Sequence, residues 1–565
     1  MPLDYSWLPF PSYQSNWVVN SFFLHNTFLV VFIIFTALLA LIFLNRKTLA
    51  KSLAFKDKRV LLLLALIFLA GFCLRNFSYS NGIPTDGWVF AESAKHIVKD
   101  GLFVKDCAAG NLESCALYEQ VLFPPGYPFL IALTYFAFGV NSIHASVVSA
   151  MLSALTIPLI FFICRELFKK EEIGLFAALV FAFFPLDLIF ASTGNSRPAS
   201  IFFIALTLFF YLVSLKKNNG KMWALTALAF SYSIYIRQEN VVLLAPMILG
   251  AFLFDYFENA TPKKISAPEK MRVLAEKFLP ASCIFFLSQL PVQVWVLLAS
   301  PLGPQRLFGS GAASERAFKI ASDLFFSNPY SADFGYGALF NPLASILFIA
   351  SPFLLFKKWK RKESLFVWSV LVTFLAIALL YAPHIKNSLD YVRYIHPLAL
   401  PVSILCGVAI FEFLEIAGKK KKAVLAVFLA AIILFSGIPL HASLFKDARL
   451  EQPKSVAFYL EAVQRTPNGC TVIGSNYLAI TSDAIPGNKR RTLNPWTFSE
   501  SSSGIYRQEL KEAECLVLLK DRQLKENAPE FLTELKEYRK ELLFSIESQG
   551  GKIEAFRLEK SGLQG

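Results

Sequence analysis

Asp86 stands in Pro84-Thr-Asp-Gly-Trp-Val-Phe-Ala-Glu92, after one apolar run has ended and before an amphipathic stretch begins. A carboxylate in that place has two uses. It caps the following helix, accepting an amide hydrogen bond that contributes about 1 kcal/mol, or it acts as a general base whose proton affinity is raised by partial burial. Arginines supply the complementary charge. Arg237, in Ile236-Arg-Gln-Glu-Asn240, falls at the turn between two apolar runs, and Arg393, in Tyr391-Val-Arg-Tyr-Ile-His-Pro397, opens a late one. A guanidinium at a helix end either snorkels to lipid headgroups or holds a phosphate through paired N–H donors. Lys386 and His384, in the connector before Arg393, are weaker candidates of the solvated-loop kind. Trp88 and Tyr127 are placed to stack on a sugar or an isoprenoid, although aromatic residues also collect at membrane interfaces without any such role. Asp187 either caps or snorkels, or it takes part in binding.

The elements that must position these residues lie in lipid. Of 565 residues, 55% are hydrophobic and 17% charged, against about 25% charged in a soluble domain. A span needs about 20 mostly apolar residues, because an unpaired backbone group is not tolerated in hydrocarbon. Runs that qualify are 27–44, 60–76, 144–164, 173–191, 198–215, 222–236, 239–256, 278–299, 340–356, 364–382, 394–417 and 423–442. The first has no basic flank before it and no small-residue cleavage site after it, so it is expected to be a retained helix. The expected fold is therefore an α-helical polytopic membrane protein of about 12 transmembrane helices, followed by a small α/β C-terminal domain.

The formal net charge of +14 does not point to nucleic acid, because from Lys446 onward acids and bases roughly balance. The excess lies in short loops: Arg46 to Arg59, Arg165 to Lys170, Lys216 to Lys221, Lys263 to Lys277, Lys357 to Lys362 and Lys419 to Lys422. If each run spans once, all six fall on one side, which the positive-inside rule makes cytoplasmic. The other side receives residues 1–26, the loops 77–143 and 300–339, the connector 383–393 and everything after about 443. The expected domains are thus 1–442 in the membrane and a soluble extracytoplasmic 443–565. Within the first outer loop, Trp88 to Lys99 puts Phe90, Ala94 and Ile97 on one face, and Phe129 to Phe138 is apolar but too short to cross. Both are expected to be helices lying along the interface, roofing a crevice at the outer surface.

The tail alternates strand-like and helix-like pieces: Cys470-Thr-Val-Ile-Gly, Cys515-Leu-Val-Leu-Leu, a helix from about Glu526 to Glu541, and a hairpin through Leu542 to Leu558 turning at Gly550-Gly551. No nucleotide-binding fingerprint occurs in it. Cys107 with Cys115, and Cys470 with Cys515 if their strands are neighbours, are expected to form disulfides in an oxidising exterior, free thiols being the alternative. Cys73, Cys164, Cys283 and Cys406 lie within apolar segments and pack as small hydrophobes.

Taken in order, the chain shows an acid opening a first outer loop, an interfacial helix, Pro124-Pro125-Gly-Tyr-Pro, a helix ending in Arg165-Glu-Leu-Phe, one ending near Phe184-Pro185, Ile236-Arg237-Gln-Glu-Asn, and Tyr391-Val-Arg393-Tyr394-Ile-His-Pro397. Over residues 60–442 this ordered set resembles the membrane-embedded C-type glycosyltransferases, the superfamily of protein O-mannosyltransferases and lipid A aminoarabinose transferases. The resemblance implies a sugar donor on a polyprenyl or dolichyl phosphate, with Asp86 as the base that deprotonates an acceptor hydroxyl, usually with inversion. It matches Arg237 and Arg393 to the family's arginines at the donor phosphate and Arg197 to a position that touches substrate; Lys386 is a weaker phosphate candidate, and Glu92, Trp88, Tyr127, Asp187 and Tyr394 are the further substrate candidates. Two departures stand out. Gly87 occupies the place of a second acid in many relatives, so no paired carboxylate supports a divalent metal, and no cofactor is otherwise implied. Arg197 precedes Pro198 where many relatives carry an acid, so either the donor is unusual or Asp187, Glu92 or Glu239 supplies the carboxylate.

The expected partners are membrane lipid, a polyprenyl-phosphate sugar donor, and a protein, lipid or glycan acceptor, with no nucleic acid. A transporter or lipid flippase is the competing reading, but such proteins place ionisable groups near the bilayer midplane, whereas the acids and arginines here gather at one edge. A noncatalytic scaffold keeping the same fold is the third reading, encouraged by Gly87 and Arg197.

Overall fold

The computed structural model describes residues 17–55, 57–77, 86–101, 103, 124–141, 143–191, 193–217, 219–258, 279–291, 347, 350–351, 361–381, 396–416, 424–427, 429–431, 452–474, 491–493, 507, 510–511, 513–521, 524–525, 529–548 and 551–560. The helices are α1 (Trp17–Leu44), α2 (Arg46–Leu53), α3 (Lys58–Phe77), α4 (Asp86–Asp100), α5 (Gly126–Phe138), α6 (Ile143–Phe168), α7 (Glu171–Ala182), α8 (Pro185–Ala191), α9 (Ser196–Lys217), α10 (Gly220–Ile236) and α11 (Leu244–Glu258). They continue with α12 (Leu279–Pro291), α13 (Arg361–Tyr381) and α14 (Ala399–Ile416). Among the described residues, four helical segments are long and apolar enough to cross a membrane: Asn26–Leu44, Ile143–Phe168, Ser196–Lys217 and His396–Ile416. Large apolar side chains face outward from α1 and α3, with Phe43 and Leu62 each 61% exposed. Such a surface is stable only against lipid, and the chain is an integral membrane protein.

The centre of the bundle is α6, α7, α9, α10 and α14, packed side by side, with α3 against α6 and α7 and α1 against α10. One apolar core joins them, from Val31 on α1 to Leu414 on α14. Helices α4 and α5 lie against each other, and the apolar face expected of α4 is the buried one: Phe90, Ala94 and Ile97 all point inward. Gly126 opens α5 where the chain meets α10. A Cβ there would come within 2.7 Å of the Tyr235 carbonyl, and the Tyr232 hydroxyl donates to the Gly126 carbonyl at 3.1 Å. Gly126→Ala is therefore expected to wedge α5 away from α10 at a cost of about 1–3 kcal/mol. A lower thermal unfolding temperature of the detergent-purified protein checks this; an unchanged one excludes it.

Two expected spans differ in detail. The run 173–191 is two helices, α7 and α8, because Pro185 has no N–H for the Phe181 carbonyl and its ring clashes with that turn. Pro185 then serves as the first residue of α8, where its fixed φ is an advantage. The run 239–256 begins as a 3-10 turn, Gln238–Leu243, before α11.

Residues 452–560 form an α/β unit with a five-stranded sheet of order β2-β1-β3-β5-β4. Its strands are β1 (Thr471–Ile473), β2 (Arg491–Leu493), β3 (Leu516–Lys520), β4 (Tyr538–Ser548) and β5 (Gly551–Lys560), and α15 (Gln452–Arg465) precedes β1. β1 is parallel to β2 and β3, while β5 is antiparallel to β3 and β4. Successive residues of β3 point to opposite faces. Val517 and Leu519 meet Tyr459, Ala462 and Val463 of α15, and Leu516 and Leu518 meet Phe531 and Leu535 on the other face. Cys470 and Cys515, each just ahead of a neighbouring strand, are joined by a disulfide with Cα atoms 4.6 Å apart. The expected helix Glu526 to Glu541 is shorter: α16 (Pro529–Glu534) and a 3-10 turn end at Glu537, and Tyr538 to Glu541 are strand, paired with Lys560 to Arg557 of β5. Sheet pairing overrides the local preference there. Cys107 and Cys115 lie outside the described residues.

Candidate functional site

Arg75, in the last turn of α3, is completely buried, and so is Asp187 in the first turn of α8. Their charges pair directly, Arg75 Nη2 to Asp187 Oδ2 at 2.6 Å. The break at Pro185 explains why the arginine is there. Ending α7 deprives its last carbonyls of the i+4 amide, and the Arg75 guanidinium donates to two of them, Ala182 O at 3.0 Å and Phe181 O at 3.3 Å, the latter also accepting from Phe184 N at 3.1 Å. A cation at a helix C-terminus is also favoured by the helix dipole. Ser153 of α6 closes the arrangement: its hydroxyl donates to Asp187 Oδ2 and accepts from Arg75 Nε. The other carboxylate oxygen, Oδ1, accepts from His396 Nε2 at 3.1 Å. His396 is also fully buried, at the start of the 3-10 turn leading into α14.

Beside this quartet lie two more arginines. Arg197, in the first turn of α9, is 3% exposed, with its guanidinium 5.8 Å from the Phe190 ring. Asn195 caps that helix through its side-chain oxygen, which accepts from Arg197 N at 3.1 Å. Arg237 ends α10 in an extended conformation, φ −151° and ψ 125°. Asn240 secures that turn, donating to Ser233 O at 2.8 Å and accepting from Ser200 Oγ at 3.0 Å. The Arg237 guanidinium donates to Glu239 at 2.5–2.6 Å and to Ser196 Oγ at 3.2 Å. Arg197 and Arg237 both attract the Glu239 carboxylate, and both act electrostatically on His396. Arg237 and Glu239 are 15% and 17% exposed, so polar surface opens on one side of the buried quartet.

All of these groups are at the same end of the bundle, where α9 begins and α10 ends. At the other end, where α6 and α9 finish, Lys216 pairs with Glu166 at 2.5 Å and Arg165 donates to the Ala54 carbonyl at 2.9 Å. The basic clusters 46–59, 165–170 and 216–221 belong to that second end.

Of the residues singled out from sequence, Asp187, Arg197 and Arg237 converge, and Glu239 joins them. Asp187 neither caps nor snorkels: its two oxygens are taken by Arg75, Ser153 and His396, so it reaches any ligand only through His396. Tyr127 has no face left for stacking on a sugar. It is fully buried, its hydroxyl donating to Ala145 O at 2.9 Å and its ring edge-on to Phe90 at 5.2 Å. Glu92 is paired with Lys95 on its own helix at 3.1 Å. Asp86 is the first residue of α4; its side-chain contacts and those of Trp88 lie outside the described residues, as do Lys386, Arg393 and Tyr394 altogether. Among the described residues, no group of three His, Cys, Asp or Glu side chains is arranged to hold a metal ion. Sequence reasoning missed Arg75, Ser153 and His396. The signal for Arg75 was available, since an arginine within an apolar span calls for a buried partner.

Residues 123–268 match the family described as dolichyl-phosphate-mannose-protein mannosyltransferase. Among solved structures, the chain is similar to ArnT from Cupriavidus metallidurans bound to undecaprenyl phosphate, with 12% identity over 89% of this chain and 98% of that one and a TM-score of 0.57. The apo state of ArnT from the same organism gives 11% identity, 88% and 98% coverage, and a TM-score of 0.55. No curated protein matches the sequence. Over nearly its whole length, the chain therefore carries the fold seen in these ArnT structures.

Proposed function

We propose that this protein transfers a sugar from a polyprenyl-phosphate carrier to an acceptor hydroxyl at the extracytoplasmic surface of the membrane, with inversion at the anomeric carbon. The observation that carries the reading is positive charge gathered at one corner: among the described residues, two guanidinium groups, Arg197 and Arg237, both act on the Glu239 carboxylate. The adjacent Arg75–Asp187 pair is neutral as a whole, so among the described residues the corner carries more guanidinium than carboxylate charge, a setting that suits a lipid phosphate. Support also comes from the undecaprenyl phosphate bound by the similar ArnT structure. The basic loops at the opposite end of the bundle support the outer location.

In this mechanism Asp86 takes the proton of the acceptor hydroxyl as its oxygen attacks the anomeric carbon. The bond from that carbon to the phosphate oxygen breaks, and the electron pair leaves on the phosphate. Arg237, with Arg393, stabilises the charge that develops there, and Arg197 adds to the same field. Trp88, Tyr394 and Lys386 complete the substrate surroundings. The unit 443–565 is extracytoplasmic, where the Cys470–Cys515 disulfide persists.

Incubating the purified protein with undecaprenyl-phosphate sugars and a panel of hydroxyl acceptors tests the reading, with sugar transfer the expected result. Arg237→Ala is expected to weaken binding of undecaprenyl phosphate by about 10- to 100-fold, the loss that goes with hydrogen bonds to a charged group. Unaltered affinity in that variant would remove Arg237 from the phosphate site. Vectorial movement of a lipid without transfer would instead favour the flippase reading.

A further inference from the structure

His396 carries a hydrogen-bonding atom that nothing in the quartet uses. Asp187 Oδ2 is engaged by Arg75 and Ser153, and Oδ1 lies 3.1 Å from His396 Nε2. A carboxylate clasped by a guanidinium only accepts, so the hydrogen of the imidazole is on Nε2. That leaves Nδ1 as a bare acceptor. Nδ1 is buried and has no hydrogen-bond partner among the described residues. An acceptor withdrawn from water and left unpaired is a cost that folding ordinarily avoids.

The surroundings define what can fill it. The imidazole packs on Phe190 with ring centroids 4.8 Å apart, and the same phenylalanine carries the Arg197 guanidinium on its ring at 5.8 Å. Arg197 and Arg237 both act on the imidazole electrostatically. The imidazole thus shares Phe190 with Arg197 and is within electrostatic reach of both guanidinium groups assigned above to the lipid phosphate. A phosphate oxygen cannot satisfy Nδ1, since two lone pairs would face each other. A hydroxyl can, and in a sugar phosphate the ring hydroxyls near the anomeric carbon are the donors closest to the phosphate.

We propose that His396 Nδ1 accepts a hydrogen bond from a hydroxyl of the lipid-linked sugar, with Asp187, Arg75 and Ser153 as positioning residues that fix the imidazole tautomer. The proposal rests on the reading of the site as a lipid-phosphate sugar site. It makes His396 a residue that distinguishes a sugar-loaded carrier from the bare one, a task for which an oriented polar group suits better than shape alone.

The test compares binding of undecaprenyl phosphate with binding of undecaprenyl-phosphate hexoses and pentoses. His396→Gln keeps a side-chain N–H within reach of Asp187 and loses the acceptor at the Nδ1 position, whereas His396→Asn keeps an oxygen near that position. Wild type is expected to bind at least one sugar-loaded lipid more tightly than the bare phosphate. His396→Gln should lose about 10-fold in affinity for that ligand alone, as one hydrogen bond predicts, with His396→Asn falling between. Thermal unfolding of His396→Gln should stay close to wild type. An equal loss for both lipids would mark His396 as structural and overturn the proposal, as would no loss at all. Wild type that binds bare phosphate but gains nothing from any sugar overturns the proposal and leaves the phosphate site standing. Wild type that binds neither lipid removes both.

Discussion

Asp86→Asn is expected to reduce sugar transfer by about 10²- to 10⁴-fold, the range for loss of a general base, while leaving affinity for the lipid donor unchanged. The substitution separates the two uses of a carboxylate at the start of α4. Asparagine caps a helix about as well as aspartate does, so if Asp86 only caps, the variant folds normally and works normally. If Asp86 deprotonates the acceptor, the variant folds normally and fails at chemistry. Donor affinity is the internal control, because the arginines assigned to the phosphate belong to other elements, α9 and the turn after α10. Initial rates at saturating donor, with binding measured on the same preparation, give the answer. A rate within a few-fold of wild type would exclude Asp86 as the base.

The second large effect concerns stability. Arg75→Met leaves the Asp187 carboxylate buried without its counter-ion and leaves the Ala182 and Phe181 carbonyls without their guanidinium donors. Breaking a buried pair from one side costs about 3–5 kcal/mol, enough to lower the unfolding temperature sharply or to prevent accumulation of folded protein. Arg75→Met combined with Asp187→Leu removes both charges and is expected to recover part of that loss, since no uncompensated ion remains. Arg75→Lys should be intermediate: it restores the charge but cannot fork across a carboxylate, a serine and the carbonyls of Gly71, Phe181 and Ala182. Unfolding temperatures of the four proteins in one detergent decide the matter. Equal damage in the single and double variants would mean that charge pairing contributes little there.

Much of the bundle was legible because apolar run length is a direct consequence of bilayer thickness. The starts of α6 and α9 and the amphipathic face of α4 follow from it, or from the 3.6-residue period. Hydropathy could not show the break between α7 and α8, since Phe183, Phe184, Pro185 and Leu186 are all apolar; only the chemistry of proline marks it. The site was half legible. Arg237 was marked out by standing at a turn, and Arg197 by reversing an expected charge. The quartet was not, because its members come from four elements and Arg75 meets Asp187 across 112 positions of sequence. Asp187 therefore looked like a polar residue near a helix end, and His396 like one letter of a motif. Tyr127 misled for a related reason: proximity to an interface does not tell whether a ring faces out or, as here, in toward Phe90.

That long separation has a consequence for biosynthesis. When α3 leaves the ribosome, its arginine enters the membrane long before α8 exists, so the charge must be accommodated without Asp187 through the insertion of α6 and α7. On translocon scales an arginine at mid-span opposes insertion by about 2.5–3.5 kcal/mol, and the penalty shrinks near a helix end, where Arg75 lies. The leucine-rich body of α3, Leu61 to Leu69, is what carries the segment in. Only when the chain past Pro185 is delivered can the arginine meet its carboxylate, and the quartet is complete only when His396, 209 positions further on, arrives with α14.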